Sequence, residues 1–250
     1  MPLGERRVLL RLKDVSDIRR LERVRTDFVA NASHELKTPL TALRGFAETL
    51  LDDDPPADVR RRFLDSVHSN AIRLQNLVDD LLDLSRLESG GWRPDLKPLL
   101  IGPLAQEAWE EVVQTRGRSV SFALVGEGIA QGDEGGLHHI LRNLLDNALR
   151  HTPEDGRISV NITQVAETVT VSVSDTGSGI SADALPRIFE RFYRADPARS
   201  RKEGGTGLGL AIVSHMVTAM HGTVTATSEV GRGTTISFTL PRAQESAPRR

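Results

Sequence analysis

The sequence predicts an α-helical hairpin followed by an α/β sandwich in which helices cover one face of a mixed sheet. Three observations lead to this fold class. Residues 15–88 carry apolar side chains at helical spacing. Glycine and proline are frequent in residues 89–98, which is typical of a domain boundary. Beyond that segment, helical and strand-like periods alternate.

The first helix is predicted over residues 15–51 and ends at the charged, proline-containing stretch 52–57, DDDPPA. A second helix follows over 58–88. Each helix has an apolar stripe that a single hairpin leaves open, and pairing two hairpins into a four-helix bundle buries both stripes. We therefore expect a homodimer, with a hairpin packed on its own globular domain as the alternative.

His34 and Glu35 stand side by side on the first helix. At about 100° per residue, His34 lies roughly 200° from Ala32 and Leu36, so it faces away from the apolar stripe. A neighbouring carboxylate that accepts a proton from one imidazole nitrogen makes the other a better nucleophile. An ordinary surface histidine is the alternative interpretation.

Beyond residue 98 the periodicity predicts nine elements. They are a helix at 102–115, a strand at 120–125, a helix at 134–151, strands at 158–164 and 168–174, a short helix at 182–191, a helix at 207–221, and strands at 223–228 and 234–240.

Asn143, Asn147 and His151 share one face of the helix at 134–151, because they are four residues apart. Carboxamide oxygens suit a hard cation such as Mg²⁺ when phosphates supply its other ligands. A solvated polar stripe is the alternative.

The strand at 168–174 runs into the sequence DTGSG, in which Asp175 is followed by Gly177 and Gly179. The glycines let the backbone approach a flat ligand, and the carboxylate can accept a hydrogen bond from an adenine amino group. The sequence DTG also surrounds the catalytic aspartate of aspartic proteases, but those enzymes need two such aspartates, and this chain contains no second DTG. Pro186 spoils the helix that a dinucleotide fingerprint requires, and a plain glycine turn stays open.

Residues 204–210, GGTGLGL, open a further helix, whose N-terminal amides can hold phosphates. The polar and basic segment 193–203, with Arg194 and Lys202, suits a lid over a triphosphate. A charged surface loop is the alternative.

The segment SHELKTPL resembles the phospho-accepting histidine box of the sensor histidine kinases of two-component signalling, among them the phosphate-sensor kinases. The resemblance implies that His34 takes the γ-phosphoryl group of ATP and that Glu35 is its base. It also implies that Thr38 orients a water for dephosphorylation of the partner's phospho-aspartate.

The downstream segments NLLDNALRHT, DTGSGI, RIFERFYR, GGTGLGLAIV and GRGTTISF resemble, in order, the boxes of the Bergerat-type ATP-binding domain of the same kinases. This resemblance implies ATP and Mg²⁺, the metal through Asn147 and the adenine through Asp175. Sequence alone does not decide between Thr235 and Thr234 at the adenine. The other residues implied at the nucleotide are Asn143, Arg150, His151, Gly177, Gly179, Arg194, Lys202, Gly205, Thr206, Gly207, Leu208, Gly209 and Thr235.

The resulting expectation is an ATP-dependent histidine kinase that passes its phosphoryl group to a response-regulator receiver domain and also acts as its phosphatase. An ATP-binding scaffold and a serine kinase of the same ATPase superfamily are the alternatives. The expected domains are 1–20, the end of an upstream sensor domain or a tail; 21–90, dimerisation and phosphotransfer; 91–98, a linker; 99–242, ATP binding; and 243–250, a tail.

Composition sets the remaining limits. The 250 residues carry a net charge of −2, which does not suggest a nucleic-acid partner. The absence of cysteine excludes disulfides and fits a reducing cytoplasm. No apolar run approaches the ~20 residues that span a bilayer, so we expect a cytoplasmic chain without membrane contact of its own, as part of a membrane-anchored sensor or alone.

Overall fold

The computed structural model describes residues 16–53, 55–118, 120–195 and 205–243, with side chains from Thr26 onward. The chain divides into two compact units, one ending at Val67 and the other beginning at His68. Residues 1–15 of the predicted upstream segment and residues 244–250 of the predicted tail lie outside the described residues.

Two long helices form the first part of the chain, as predicted. Helix α1 spans Ser16–Asp52 and helix α2 spans Ala57–Glu88. Within the first unit, the rings of Phe46 and Phe63 lie 5.3 Å apart, so the two helices contact each other through apolar side chains. None of the described helices combines the length and the apolar character needed to cross a bilayer.

The second unit contains a five-stranded sheet and a separate two-stranded sheet, with three helices after α2 in the part of the chain that the structure describes. The elements are β1 Lys97–Leu100, α3 Ile101–Arg116, β2 Ser121–Val125, β3 Ile129–Gly132, α4 Glu134–His151, β4 Arg157–Val165, β5 Thr168–Asp175, α5 Gly209–Ala219, β6 Thr223–Glu229 and β7 Gly233–Pro241. The large sheet has the order β2-β4-β5-β7-β6. Its β2–β4 pair is parallel, and the other three pairs are antiparallel.

One face of the large sheet packs on the helices. Every second residue of the three central strands is buried, because successive side chains of a strand point to opposite faces. The alternate residues carry hydroxyl groups that pair across strands, as in Ser172 with Ser237 at 2.8 Å and Ser174 with Thr235 at 2.8 Å. The predicted mixed sheet with helices on one face is therefore confirmed.

Three local predictions need correction. Strands β1 and β3, which pair with each other, were not predicted, and β1 takes the last two residues of the segment expected to be a linker. The helix expected at 182–191 is only a 3₁₀ turn, Leu185–Arg187, because Pro186 cannot donate a helix bond and the segment is too short to compensate. Helix α5 begins at Gly209 rather than at 207, because Gly207 has a φ of 75°.

Candidate functional site

A cavity of about 420 Å³ opens in the second unit, between α4, the turn after β5 and the glycine segment before α5. Most of the residues singled out from the sequence meet at its wall. They are Asn143, Asn147, Arg150, His151, Asp175, Gly179, Arg194, Gly205, Thr206, Gly207 and Gly209.

Helix α4 supplies one wall of the cavity, and it begins where the sequence predicts. The Asp133 side chain caps its N-terminus by accepting a hydrogen bond from the Gly136 amide. One turn apart on the helix, Asn143 and Asn147 both line the cavity. The Asn143 side-chain NH₂ group donates to the His139 carbonyl at 3.0 Å. The Oδ1 atom of Asn143 then lies next to Gly209 at the start of α5.

Asp175 ends β5 on the helix-facing side of the sheet, two residues after buried Val173. Its Oδ1 accepts a 2.8 Å hydrogen bond from the Gly177 amide, and the Thr234 amide also donates to this carboxylate. Burial raises the pKa of Asp175, and the two backbone donors partly oppose that rise. The arrangement fixes a carboxylate acceptor at the cavity wall, where it can receive an N–H donor of a bound base.

The turn after β5 is held between two elements. The Ser178 amide donates to the carbonyl of His151 at the end of α4, and the Ser178 carbonyl accepts from the Gly231 amide before β7. Gly179 has a φ of 69° and packs against the Glu229 carbonyl, so a side chain has no room there. The glycines predicted from the DTGSG sequence thus serve close backbone packing.

The glycine segment before α5 is fixed from the other side. The Phe192 amide donates to the Gly207 carbonyl at 2.8 Å. The Thr206 hydroxyl donates to Asp80 Oδ2 at 2.6 Å and accepts from the Leu208 amide at 3.2 Å. Burial raises the pKa of Asp80 to about 6, although the Thr206 bond lowers it. Asp80 belongs to α2, and sequence reasoning did not connect it with the site.

Asp146 is the second residue that sequence reasoning missed. It lines the cavity beside Asn147 and accepts hydrogen bonds from both Arg150 and Arg116. Its burial by itself raises the pKa, but the two guanidinium groups hold the pKa of this carboxyl below its usual value. Asp146 and Arg150 are four residues apart on one helix, and this spacing could have indicated the ion pair from the sequence.

Four predicted residues are not among those that line the cavity. Gly177 and Leu208 lie just behind the wall, next to lining residues, and Lys202 lies outside the described residues. Thr235 does not line the cavity, whereas its neighbour Thr234 does. Thr235 shares the open face of the sheet with Ser237, whereas Thr234 shares the helix face with buried Ile236, because side chains alternate along β7.

His34 lies in the first unit, on α1, and is exposed, as the helical spacing predicts. Glu35 is half-buried beside it. The Thr38 hydroxyl donates to the His34 carbonyl at 3.2 Å. Pro39 follows and is buried; it has no N–H to donate to the Glu35 carbonyl one turn back.

The donor set of the cavity fits a magnesium ion that arrives with phosphates. Within the described residues, no group of three or more histidine and acidic side chains is arranged to hold a metal. Asn147 offers one neutral carboxamide oxygen at the wall. Mg²⁺ retains waters and takes few protein ligands when phosphate oxygens are present, so one such oxygen is compatible with it.

Comparison with known proteins adds two domain families. Residues 24–90 match the family described as His Kinase A (phospho-acceptor) domain. Residues 132–244 match the family described as histidine kinase-, DNA gyrase B- and HSP90-like ATPase.

The chain is 38% identical over 245 residues to the phosphate regulon sensor protein PhoR of Pseudomonas aeruginosa, covering 96% of this chain and 55% of that protein. It is 37% identical over 234 residues to the sensor-like histidine kinase SenX3 of Mycolicibacterium smegmatis, covering 92% of this chain and 61% of the relative. The chain thus spans little more than half the length of these relatives.

Among solved structures, full-length ShkA in complex with AMPPNP superposes with a TM-score of 0.62 at 33% sequence identity, over 92% of this chain and 47% of that one. The two domain families, the two relatives and this solved structure all indicate the same protein family. The chain belongs to the sensor histidine kinases of two-component systems.

Proposed function

We propose that the chain is an ATP-dependent protein-histidine kinase that phosphorylates its own His34 and then passes the phosphoryl group to an aspartate of a response regulator. The observation that carries the proposal is the presence in one chain of an exposed histidine within a phospho-acceptor domain and a preformed cavity within an ATPase domain. Such a kinase works where ATP is present, so we place it in the cytoplasm.

The chemistry proposed for His34 follows from its neighbours. Glu35 accepts the proton from one ring nitrogen of the neutral imidazole. The lone pair of the other nitrogen attacks the γ-phosphorus in line, an N–P bond forms, and the bond from that phosphorus to the ADP oxygen breaks. ADP leaves with the electron pair. Exposure of His34 on α1 supports this role, because the ring must reach a bound nucleotide.

The proposed nucleotide pose uses residues of the cavity wall. Asp175 accepts the adenine amino group, Arg150 and Arg194 face the phosphates, and Asn147 is the protein ligand of Mg²⁺. The metal supplies charge neutralisation of the β- and γ-phosphates when it is bound. ShkA was solved in complex with AMPPNP, an analogue of ATP, and this complex supports an adenine nucleotide as the ligand of the present chain.

We further propose that the active form is a homodimer. Several large apolar side chains on the hairpin helices are exposed, which a partner hairpin would cover. They are Val29, Leu40, Leu51, Leu64, Ile72, Val78 and Leu82. Light scattering of the purified chain checks this point, and a monomer at micromolar concentration contradicts it.

Thr38 supports a second activity, removal of phosphate from the phosphorylated regulator. Its hydroxyl lies one turn from His34 on the same helix. We expect Thr38→Ala to keep autophosphorylation and to lose phosphatase activity, measured as release of phosphate from a phosphorylated receiver domain. Equal loss of both activities contradicts the division of roles between His34 and Thr38.

The kinase proposal is tested by incubating the chain with γ-labelled ATP and Mg²⁺. We expect label that is lost in acid, kept in base and mapped to the peptide that contains His34. Two matched variants control the experiment: His34→Gln removes the acceptor, and His68→Gln changes another exposed histidine, on α2. Label that persists in His34→Gln contradicts the assignment, and ATP binding without label favours a scaffold.

A further inference from the structure

Asp146 is the centre of a three-residue charge cluster at the cavity wall. Arg116, the last residue of α3, donates to it through two nitrogens, with Nε 2.5 Å from Oδ1 and Nη2 2.7 Å from Oδ2. Arg150, one turn further along α4, donates from Nε and Nη2 to Oδ2 at 2.9 and 2.8 Å. One carboxylate thus joins two helices and receives four N–H bonds.

The side chains of this cluster are largely withdrawn from solvent. Their exposed fractions are 32% for Arg116, 27% for Asp146 and 17% for Arg150. Charge-assisted hydrogen bonds in such partly buried surroundings are stronger and more directional than those of exposed surface pairs. The cluster therefore has a fixed geometry, in contrast to an exposed pair of residues four apart on a helix.

Within these three side chains the charges do not cancel, and Asp80 on α2 also interacts electrostatically with Arg150. Two guanidinium groups face one carboxylate, so the three side chains carry a single positive charge in total. Arg150 and Asp146 alone would form a neutral pair. Arg116 thus supplies the excess charge, and it does so from behind, because Asp146 and Arg150 line the cavity and Arg116 does not.

We propose that Arg116 is a positioning residue for nucleotide binding: by holding Asp146 with a two-pronged pair, it fixes Arg150 at the cavity wall and preserves its positive charge for the phosphate chain. The inference rests on the proposed function, because it needs a nucleoside triphosphate in the cavity. It assigns a role to a residue outside the cavity that no sequence motif marks. A guanidinium suits this role better than an ammonium, because its planar fork can make two parallel hydrogen bonds with one carboxylate.

The test compares the binding of ATP and of adenosine by calorimetry, in Mg²⁺-containing buffer, for the whole chain and for Arg116→Ala. We expect the variant to bind ATP roughly tenfold more weakly, as loss of a charge-assisted interaction predicts. Adenosine has no phosphates, so its affinity stays unchanged. Arg116→Lys keeps the charge but not the fork, and we expect it to restore part of the ATP affinity.

Lys97→Ala is the matched control, since it removes an exposed cation of the same unit that pairs with exposed Asp95. Equal ATP affinity of wild type and Arg116→Ala overturns the inference, and so does an equal loss for ATP and adenosine, which marks a structural role. If Arg116→Ala does not fold, Arg116→Lys decides by the same ATP-to-adenosine comparison. A wild-type chain that binds no ATP overturns the proposed function itself.

Discussion

The hydroxyl of Thr206 donates a 2.6 Å hydrogen bond to the carboxylate of Asp80, a residue 126 positions earlier in the chain. Asp80 lies on α2, and Thr206 lies in the glycine segment that lines the cavity. Two more contacts run from the same helix: Asp83 lies 3.7 Å from His139, and Glu88 pairs with Arg191 at 2.6 Å. The C-terminal part of α2 therefore helps to hold the glycine segment in place.

The Asp80 contact predicts a pH dependence of stability. Asp80 titrates near 3.8 in an unfolded chain, and burial raises its pKa to about 6 in the fold. Between these values the folded state binds a proton that the unfolded state has released, so the free energy of unfolding falls as the pH rises from about 4 to about 6 and stays lower above that. The difference corresponds to roughly 3 kcal/mol at most.

The variant Asp80→Asn checks this prediction, because the amide keeps an acceptor for Thr206 and cannot ionise. In urea unfolding we expect this variant to be more stable than wild type at pH 7 and similar to it near pH 4. If the free energies of unfolding of the two proteins change in parallel across this pH range, the pKa of Asp80 is not raised in the fold.

Gly209 is predicted to keep the Asn143 side chain in place at the cavity wall. A Cβ atom there would lie 2.6 Å from Oδ1 of Asn143, so Gly209→Ala must displace the Asn143 carboxamide from the cavity wall. We expect ATP affinity to fall roughly tenfold, as for a lost polar contact. Titration with a fluorescent ATP analogue measures the effect.

Gly45 gives a matched control for that substitution. It lies inside α1, and a Cβ atom there meets nothing within 4 Å. Gly45→Ala should leave nucleotide affinity unchanged and increase stability by about 0.5–1 kcal/mol, because alanine is the better helix former. Unchanged affinity in both variants would show that Asn143 is not needed at the wall.

Asp175 is predicted to set the preference for adenine. Its carboxylate is an acceptor that suits the adenine amino group and repels the carbonyl oxygen of guanine at the same place. We expect Asp175→Asn to bind ATP and ADP roughly tenfold more weakly, since both carry the same base, and to discriminate less against GTP. Competition among the three nucleotides is the measurement, and an unchanged preference refutes the role.

Asn147 is predicted to determine the magnesium requirement. In Asn147→Ala we expect the Mg²⁺ concentration for half-maximal autophosphorylation to rise roughly tenfold or more, because an oxygen ligand is lost. Asn161→Ala is the control, since Asn161 is an exposed asparagine of β4. Equal Mg²⁺ dependence of the two variants would assign the metal to other ligands.

Local spacing was sufficient to find the α4 side of the site. Asn143 and Asn147 are four residues apart, so a helix brings them to one face, and no distant contact is needed to predict it. The same argument placed His34 on the exposed side of α1. The residues found in this way all depend on the geometry of a single element.

Contacts between distant segments could not be predicted from spacing. Arg116 reaches Asp146 across 30 residues, and the choice of Thr234 over Thr235 depends on the register of β7 against β5. The short strands β1 and β3 show no alternation of their own, because each is four residues long and is defined by the other. The prediction of a helix at 182–191 is wrong, because so short a segment cannot compensate for the helix hydrogen bond that Pro186 is unable to donate.

The register of the central strands also has a kinetic consequence. Asp175 lies beside Thr234 only after β5 and β7 have paired, whereas Asn143 and Asn147 become neighbours as soon as α4 forms. Because the entropy of closing a long loop must be lost before distant segments pair, we expect the Asp175 end of the cavity to be completed after the α4 end. A nucleotide that needs both ends binds only the finished fold and protects it from unfolding by mass action. The lifetime of this chain against proteolysis should then follow the supply of ATP in the cell.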